Sequence, residues 1–378
     1  MYPSGEAFVK RHPCALTSPT DFIQSGPSQP QSHDGSIVAR FPGPMPHQLD
    51  DVAPRRTAAL DSVRAFAPGG IGNLGPGLDI LGCAVTGPGD TVDATRVAEP
   101  GVHLADAGHP ELPTDPARHT ATIAGAEVLR RAGQLGVGVS LRVRKGLPLA
   151  GGQGGSAASA IAGAVAVNAL LGSPLDERDL LLAALVAEER VAGRHLDNLA
   201  PALVGGIVLV RSIDPLVTIR FDAPGGLRVV LVHPGMRLRT ADARAVLPAT
   251  VERATAIAQA AAVATMVAAF ASGNLALLRG AIDDRIAEPA RAALLPGFSG
   301  AKRAAVQAGA LGASIAGGGP SAFALTDGDA VANDVLAAML AAYGDAGVTA
   351  TGRVARVDAQ GARVAAPNEP LNGEPTRG

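Results

Sequence analysis

Apolar residues recur along the chain at two spacings, one typical of strands and one typical of helices. Alternating apolar and polar residues, or short apolar runs next to glycines, predict strands at residues 62–68, 91–98, 139–145, 205–211 and 227–233, and a strand, turn and strand at 313–325. Longer apolar patterns predict helices at residues 120–132, 156–171, 176–192 and 249–287, the last interrupted near Gly273. Because helices and strands do not alternate strictly, the pattern favours an α+β fold over a doubly wound sheet.

The two ends of the chain differ from its centre. Residues 1–61 are rich in Pro, Ser, Gln and His and show no sustained periodicity, which predicts a disordered extension. The tail at residues 367–378 has the same character. Between them we expect two domains, at residues 62–224 and 225–366, since 378 residues exceed the usual size of one domain.

Composition and charge exclude several classes of function. The net charge is −2 and no extended run of Lys and Arg occurs, so the basic surface of a nucleic-acid-binding protein is missing. The apolar segment at 156–171 is too short and too rich in Ala and Gly to predict a membrane span. Two cysteines, Cys14 and Cys83, cannot make a disulfide framework. We therefore expect a cytoplasmic protein that binds neither nucleic acid nor a membrane.

Residues 148–159, P-L-A-G-G-Q-G-G-S-A-A-S, place four glycines directly before a predicted helix. Glycine lets the backbone approach an anion closely. The helix that follows presents free N–H groups and the positive end of its dipole, so the segment predicts a phosphate site. The alternative is a flexible turn capped by Ser156. The segment is neither a Walker A loop nor a dinucleotide fingerprint, since it lacks Gly-Lys-Ser/Thr and the βαβ setting of G-x-G-x-x-G.

A second glycine-rich loop lies at residues 68–82, P-G-G-I-G-N-L-G-P-G-L-D-I-L-G. Its polar side chains are Asn73 and Asp79, which suggests a binding loop. The alternative is an ordinary turn in which Asn and Asp bond the local backbone. A carboxylate such as that of Asp79 is an acceptor suited to an ammonium group.

A polar constellation follows the third predicted helix. Glu188 and Glu189 lie near the end of that helix, where the dipole disfavours carboxylates unless a cation is near. Helical spacing aligns each of them with apolar residues, so periodicity cannot choose between them. His195, Asp197 and Asn198 come next. A lone His is more often structural, but beside Asp and Asn we interpret it as a substrate contact.

The segment at 148–159 resembles the ATP-binding motif of the GHMP kinases, Pro-x-x-x-Gly-Leu-Gly-Ser-Ser-Ala. Five positions match this pattern: Pro148, Gly152, Gly154, Ser156 and Ala157. Gln153 stands in place of the Leu, and Gly155 in place of the first Ser. The resemblance implies an ATP-binding set of Pro148, Gly151, Gly152, Gln153, Gly154, Gly155, Ser156, Ala157 and Ala158.

Further segments resemble motifs of the homoserine kinase branch of this family. The loop at 68–82 is similar to its opening motif, and residues 195–201, H-L-D-N-L-A-P, to His-x-Asp-Asn-Val-Ala-Pro. Residues 240–248 match Thr-x-x-Ala-Arg-x-x-Leu-Pro, residues 288–296 match Glu-Pro-x-Arg-x-x-Leu-x-Pro, and residues 317–321 resemble a third glycine loop. The implied substrate-binding residues are Asn73, Asp79, His195, Thr240, Arg244 and Arg291. Arginine is suited to holding the substrate carboxylate.

This resemblance implies transfer of the γ-phosphate of ATP to the side-chain hydroxyl of L-homoserine, a step of threonine biosynthesis. The family pattern favours Glu188 over Glu189 as the ligand of Mg²⁺, together with Ser156. Asn198 would align the hydroxyl. Asp197 is a further catalytic candidate, but neighbouring side chains of an extended segment point in opposite directions. If Asn198 faces the hydroxyl, Asp197 is expected to face away, and transfer without a general base is preferred.

The fold implied by the resemblance is a two-domain α+β kinase. Its N-terminal domain contains a left-handed β-α-β crossover, and its C-terminal domain is ferredoxin-like. Two alternatives stay open: another small-molecule kinase of the family, and a non-catalytic nucleotide or amino-acid sensor of the same fold. Gln153 and Gly155 are the support for the sensor. A homodimer is also left open.

Overall fold

The computed structural model describes residues 47–48 and 60–365. Most of the predicted extension, and the chain from residue 366 onward, lie outside the described residues. Within the predicted extension, the two-residue strand β1 (His47–Gln48) pairs antiparallel with β7 (Leu216–Phe221) of the first domain.

The first domain is built on one mixed sheet. Its other strands are β2 (Ser62–Ile71), β3 (Leu81–Val97), β4 (Gly101–Asp106), β5 (Gly138–Arg144), β6 (Ile207–Ile213) and β12 (Arg363–Ala365). The order is β1-β7-β6-β3-β2-β12, with β5 paired to both β3 and β4. Strand β3 has 17 residues and pairs with β2, β5 and β6 along its length, so it is the central strand of the sheet.

The helices of the first domain are α1 (Thr120–Arg131), α2 (Gly155–Leu170), α3 (Glu177–Val191) and α4 (Leu199–Val204). Three of them, α1, α2 and α4, pack against this sheet, and α3 packs against those helices. Helix α2 is Ala-rich and lies in the hydrophobic core between its neighbours and the sheet. A Cβ at Gly163 would lie 2.5 Å from the carbonyl oxygen of Ala121, so this glycine allows α1 to pack closely. The predicted helices at 120–132, 156–171 and 176–192 are confirmed to within one residue at each end.

Strands β4 and β5 are parallel and are joined by α1, which makes a β-α-β unit. The resemblance places the crossover of the family in the same domain. The remaining pairs of the sheet are antiparallel. The first domain is therefore α+β, as predicted from the mixed order of elements.

The second domain has a four-stranded antiparallel sheet. Its strands are β8 (Leu227–Pro234), β9 (Gly312–Ile315), β10 (Ala322–Asp327) and β11 (Ala350–Ala355), in the order β11-β8-β10-β9. Helices α8 (Phe298–Gln307) and α9 (Asp329–Asp345) share a core with one face of this sheet. This β-α-β-β-α-β arrangement confirms the ferredoxin-like prediction.

The helix predicted at 249–287 is only partly correct. Helix α5 (Thr240–Ala245) precedes α6 (Arg253–Ser272), which ends because Gly273 adopts the left-handed conformation, with a φ of 70°. A short 3₁₀ turn (Leu275–Leu278) follows, and the chain is irregular until α7 (Ala287–Ala292).

Helix α6 is long and apolar enough to cross a membrane by length and composition alone. The sequence is uncharged from residue 254 to 278, a longer run than 156–171, so the segment 156–171 does not decide whether the chain could span a membrane. A single helix of this kind is weak evidence, since the core helix of a soluble protein passes the same test. Met266 and Phe270 of α6 share a core with Phe323 of the second sheet.

The two domains are joined by a common apolar cluster and by the end of the chain. Ile71 and Leu74 of the first domain lie in the same cluster as Phe270 and Ile282. After β11 the chain returns to the first sheet, where β12 pairs with β2. The range predicted for the second domain, 225–366, therefore includes one strand of the first sheet.

Candidate active site

Three glycine-rich loops meet where the two domains join: residues 72–80, residues 148–156, which we call the phosphate loop, and residues 316–321. The N–H of Gly317 donates to the carbonyl of Gly72 (3.1 Å), and the N–H of Gly70 donates to the carbonyl of Gln153 (3.1 Å). Gly152 has a φ of 76°, and a Cβ there would lie 2.5 Å from the carbonyl oxygen of Ala316. Only glycine permits this approach, so three distant segments form one hydrogen-bonded platform.

A cavity of about 500 Å³ opens beside this platform. Gly154 is the N-cap of α2, with a φ of 70° and no side-chain capping bond, and Gly155 and Ser156 line the cavity. Helix α2 therefore presents the free N–H groups of its first turn and its positive dipole end at the cavity. Such a terminus binds phosphate.

Not every residue of the predicted ATP-binding set lines this cavity. Those that do are Pro148, Gly151, Gly152, Gly154, Gly155 and Ser156. Ala157 and Ala158 are fully buried in the core of the first domain. The Gln153 side chain is also buried and donates from Nε2 to the Ser321 hydroxyl (3.2 Å). These three residues support the loop from behind and do not face the cavity.

Glu188 lies in the cavity wall next to the start of α2. It is 3% exposed, and the Ser156 hydroxyl donates to its Oε1 at 3.3 Å. Its Oε2 is buried without a hydrogen-bond partner among the described residues. Burial raises the pKa of the Glu188 carboxyl to about 7, against the opposing effect of the nearby His195. Glu189 points elsewhere, is exposed, and pairs with Arg194 at 2.5 Å.

Asp197 and Asn198 both reach the cavity, so the expectation that their side chains point in opposite directions is wrong. That expectation assumes an extended backbone at these residues. Asn198, however, is the N-cap of α4 and has right-handed helical dihedrals (φ −99°, ψ −40°). A Cβ at Gly72 would collide with both side chains, which shows that they lie together. Oδ1 of Asp197 and Oδ1 of Asn198 are buried and have no hydrogen-bond partner in the described part of the chain.

His195 lies beside Asp197. Its Nε2 donates to the carbonyl of Ala192 (2.9 Å), and its Nδ1 is 3.5 Å from Oδ1 of Asp197. That separation is at the limit of a hydrogen bond. Burial lowers the pKa of His195, but the Asp197 carboxylate outweighs it and the net pKa is raised. The imidazole therefore adds positive charge to this wall of the cavity as pH falls.

Asp79 and Arg244 form a two-pronged ion pair across the domain junction. The guanidinium donates from Nη2 to Oδ1 (2.6 Å) and from Nη1 to Oδ2 (3.2 Å). Partial burial acts to raise the pKa of Asp79, but the hydrogen bonds and charge of Arg244 dominate and the pKa is lowered. Both side chains line the cavity and keep partial exposure to solvent.

Asn73 is held by the loops on either side of it. Its Nδ2 donates to the carbonyl of Gly317 (2.8 Å), its Oδ1 accepts from the N–H of Asp79 (3.0 Å), and its own N–H donates to Oδ2 of Asp197 (2.8 Å). Asn73 and Asp79 have left-handed backbones, with φ of 64° and 61°. The Asn73 side chain therefore holds the first loop in shape, as expected if Asn in this loop bonds the local backbone. The Asp79 side chain faces the cavity, where a ligand could reach it.

The remaining predicted contacts come from the second domain. Thr240 is exposed at the start of α5 and lines the cavity. Arg291 also lines it but is 3% exposed, and it donates to the carbonyls of Ala243 (3.0 Å) and Gly317 (3.1 Å). Burial lowers the pKa of Arg291. Among the ion pairs of the described residues none involves Arg291, so its charge faces a cavity without a carboxylate partner of its own.

Sequence reasoning missed a buried polar cluster behind the phosphate loop. The Lys145 ammonium pairs closely with the fully buried Asp90 and donates to the carbonyl of Gly155 (2.9 Å) and the Ser159 hydroxyl (2.9 Å). Lys145 also lines the cavity. Asp90 and Lys145 are 55 residues apart in sequence, on β3 and after β5, and no local pattern connects them. Only the pairing of β3 with β5 brings them together.

Comparisons with known proteins agree with this architecture. Residues 120–206 match the family described as GHMP kinases N terminal domain, and residues 266–346 match GHMP kinases C terminal. Homoserine kinase of Arabidopsis thaliana is 40% identical, over 80% of this chain and 84% of that protein. Homoserine kinase of Chlorobaculum tepidum is 38% identical, over 81% of this chain and 98% of that protein.

A solved structure supports the same relationship. The crystal structure of homoserine kinase from Cytophaga hutchinsonii has 38% sequence identity and a TM-score of 0.77, covering 82% of this chain and 99% of that one. The chain therefore belongs to the GHMP kinase family, and its fold is the mixed α+β fold of that family. The three relatives named above are similar to this chain over most of both lengths, and all three are homoserine kinases.

Proposed function

We propose that this protein is a homoserine kinase, which transfers the γ-phosphate of ATP to the side-chain hydroxyl of L-homoserine. In this reaction the hydroxyl oxygen forms a bond to the γ-phosphorus, the bond from that phosphorus to the β,γ-bridging oxygen breaks, and the hydroxyl proton is released. The products are ADP and O-phospho-L-homoserine. The observation that carries the proposal is that one cavity contains a phosphate-binding helix terminus, a buried carboxylate and a two-pronged Asp–Arg pair.

The nucleotide end of the cavity is supported by the phosphate loop. The N-terminus of α2 would receive the phosphates, as its free N–H groups and dipole favour anions. Lys145 lines the same region and fixes the first turn of α2 through the carbonyl of Gly155. The apolar residues Leu112, Pro113 and Leu149 also line the cavity and offer a surface for the base.

Glu188 and Ser156 fit a magnesium site. Their oxygens lie 3.3 Å apart, and Oε2 of Glu188 is buried without a hydrogen-bond partner among the residues described. Carboxylate and hydroxyl oxygens are ligands that Mg²⁺ accepts, usually with substrate phosphates and water. When bound, the ion neutralises charge on the β- and γ-phosphates during transfer.

A second group of candidate metal ligands competes with this assignment. Atoms of Asp79, His195 and Asp197 lie within 4.8 Å of one another. The Arg244 guanidinium, however, donates to both oxygens of Asp79, and its positive charge would repel a cation bound to this group. We therefore propose Glu188 and Ser156 as the site of Mg²⁺ and Asp79 as part of the amino-acid site.

The Asp79–Arg244 pair suits a zwitterionic substrate. An amino acid carries a carboxylate that Arg244 can hold through two parallel bonds and an ammonium that Asp79 can accept. Both residues are partly exposed to the cavity and at present bond each other. The two ends of homoserine would thus replace the bonds that the pair makes within the protein. Arg291 adds a second positive charge on the same side.

The hydroxyl of homoserine would lie near Asp197 and Asn198. Asn198 is proposed to align it, and Asp197 is a candidate to accept its proton, because its Oδ1 is buried and has no hydrogen-bond partner in the described chain. Asp197 lines the same cavity as Asn198, so it is not turned away from the hydroxyl. We expect Asp197→Asn, which keeps the shape and the bond from the Asn73 N–H, to lower kcat by on the order of 100-fold. A change of less than a few fold would favour direct transfer.

The test of the function is an ADP-release assay with ATP, Mg²⁺ and one candidate acceptor at a time. Homoserine, threonine, mevalonate, galactose and no acceptor should be compared, and ³¹P NMR should identify the product. We expect release with homoserine alone and a phosphomonoester product. Release with another acceptor would indicate a different small-molecule kinase. Tight binding of ATP or homoserine with no product would support the non-catalytic sensor.

We also propose a homodimer and a cytoplasmic location. Helix α6 carries no charge from residue 254 to its end, and only four of its 20 residues are buried, which is compatible with a homodimer contact. Light scattering of the purified full chain would give the mass in solution. The absence of a disulfide framework supports a cytoplasmic location.

A further inference from the structure

The Ser321 hydroxyl joins the phosphate loop to the second domain. It is fully buried in the residue before β10 and donates to the carbonyl of Gly151 (2.6 Å). It lies 3.2 Å from Nε2 of Gln153 and 3.0 Å from Nδ1 of His233 on β8. We call Gln153, Ser321 and His233 the loop latch.

The hydrogen bonds of the loop latch can be assigned completely. A hydroxyl has one proton to donate and two lone pairs that accept. A backbone carbonyl only accepts, so the Ser321 proton must be directed to Gly151. The amide nitrogen of Gln153 only donates, so it fills one lone pair. Nδ1 of His233 must then carry a proton and donate it to the second lone pair of the hydroxyl. Both the neutral Nδ1–H tautomer and the imidazolium cation can do this, and the neutral Nε2–H tautomer cannot.

The position of the loop latch indicates what it does. Gln153 also accepts the N–H of Gly70 through its backbone carbonyl (3.1 Å), so it bonds to the end of β2 as well as to the loop at 316–321. The latch holds residues 151–153 from behind, and Gly154 and Gly155, which open α2 at the cavity, come directly after them. The side chains of Gln153, Ser321 and His233 do not line the cavity itself. They therefore act on the conformation of the phosphate loop and do not contact a ligand there.

Gln153 is also a departure from the GHMP pattern, which has Leu at this place. An aliphatic side chain cannot donate to Ser321, so this chain supports the loop with a buried hydrogen bond where the pattern has an apolar contact. A buried polar group that loses its partner costs more than an apolar group of the same shape. The support that the loop latch gives thus depends on Gln153 and Ser321 being present together.

We propose that Gln153 and Ser321 are positioning residues that hold the phosphate loop in its nucleotide-binding conformation and so set the affinity for the triphosphate of ATP. This inference rests on the proposed function, because ATP is the ligand that the loop is positioned to bind. Adenosine, which has no phosphates, should be affected much less than ATP. Homoserine binds at the other end of the cavity and should also be affected little.

The test uses Ser321→Ala, Gln153→Met and the double variant of the full chain. Calorimetry without homoserine gives the Kd of ATP and of adenosine, and steady-state kinetics give both KM values. We expect the ATP Kd to rise about tenfold in Ser321→Ala and about threefold in Gln153→Met. The double variant should bind ATP no more weakly than Ser321→Ala, because Gln153 has no partner once the hydroxyl is gone and Met removes its unsatisfied amide. The Kd of adenosine and the KM of homoserine should change less than about twofold.

Asn168→Ala is the matched control. Asn168 is a buried residue at the far end of α2 whose side chain makes two hydrogen bonds, both to the backbone of Leu175. Its loss should lower the melting temperature without a selective rise in the ATP Kd. Ser321→Thr, which keeps the hydroxyl, should recover most of the ATP affinity.

The outcomes separate this inference from the proposed function. Additive effects in the double variant, or equal losses for ATP and homoserine, would overturn the latch while leaving the kinase assignment intact. The latch would also be overturned if Gln153→Met folds and binds ATP as tightly as the wild type. This measurement decides the question even if Ser321→Ala does not fold. Failure of the wild-type chain to bind ATP at all would overturn both.

Discussion

Ser156 and Glu188 meet at 3.3 Å because the first turn of α2 packs beside the last turn of α3. This contact explains how a carboxylate is tolerated near the C-terminal end of a helix, where the dipole is unfavourable. The positive N-terminal end of α2 lies next to it and offsets that effect. The same contact brings two oxygen ligands to the mouth of the phosphate loop, which makes the pair the first target for mutation.

Glu188→Gln should retain the fold and lower kcat by on the order of 100-fold or more, since a charged metal ligand becomes neutral with little change of shape. Glu189→Gln is the matched control, because the neighbouring carboxylate is exposed and bonded only to Arg194 among its described contacts. Its effect on kcat should be less than about twofold. Steady-state kinetics at several Mg²⁺ concentrations measure both, and a larger effect of Glu189→Gln would reverse the assignment.

The raised pKa of Glu188 predicts a specific pH dependence of stability. The carboxyl titrates near 4.5 in the unfolded chain and at about 7 in the folded protein. Between these values the folded state binds the extra proton, so the free energy of unfolding should fall as pH rises from about 4.5 to 7. The full effect is roughly 3 kcal/mol. Above pH 7 this contribution is constant.

Glu188→Gln removes this dependence. In metal-free buffer with a chelator, we expect the variant to be more stable than the wild type at pH 8 and nearly equal to it at pH 4.5. Thermal melts across this range give the difference curve, in which the titrations of other groups cancel. A difference that does not change with pH would show that burial of Glu188 is relieved in solution.

Arg244 and Arg291 should respond differently to truncation. Arg244 bonds Asp79 at the cavity and is partly exposed, so Arg244→Ala should raise the KM of homoserine about tenfold to a hundredfold, with little change for ATP. Arg291 is buried and holds the carbonyls of Ala243 and Gly317, so Arg291→Ala should also lower the melting temperature. Kinetics for both substrates and thermal melts separate the two, and equal effects of Arg244→Ala on both KM values would assign it a structural role.

Much of the fold could be predicted from the sequence, because helix caps and the spacing of apolar residues are local patterns that determine helices and strands. Helix α3 is an example: Asp176 caps it by accepting the N–H of Asp179 (2.8 Å), and its apolar positions recur at helical spacing. The sequence could not choose between Glu188 and Glu189, because both fit that spacing. Their roles differ only because one of them faces the start of α2. Contacts between distant segments, unlike caps and periodicity, leave no local signal.

The orientation of Asp197 and Asn198 shows the same limit. Alternation of side chains applies only where the backbone is extended, and Asn198 is instead the N-cap of α4. The short helix Leu199–Val204 has too few residues for periodicity to predict it. The pair of Lys145 and Asp90 was missed for a related reason, since each looks like an ordinary charged residue at a strand or its end.

Lys145→Met should destabilise the protein strongly, since it leaves the Asp90 carboxylate buried and without its cation. Loss of one partner of a buried ion pair costs about 3–5 kcal/mol. Lys145→Met combined with Asp90→Asn should recover a large part of this loss, because the remaining group is neutral. Chemical denaturation measures all three proteins. If the double variant is as unstable as Lys145→Met, the hydrogen bonds through Ser159 contribute more to stability than the pairing of the two charges.

Gly155 and Gly154 make opposite predictions although they are adjacent. Gly155 is the first residue of α2, and a Cβ there would meet the Lys145 Nζ at 3.5 Å, an ordinary contact. Gly155→Ser, which introduces the residue of the family pattern, should therefore fold normally and bind ATP as well as the wild type or more tightly. Gly154 has a φ of 70°, so Gly154→Ala should destabilise the loop by about 1 kcal/mol or more and weaken ATP binding. Nucleotide titrations and melts of both variants decide, and loss of ATP binding in Gly155→Ser would show that the loop changes its conformation on binding.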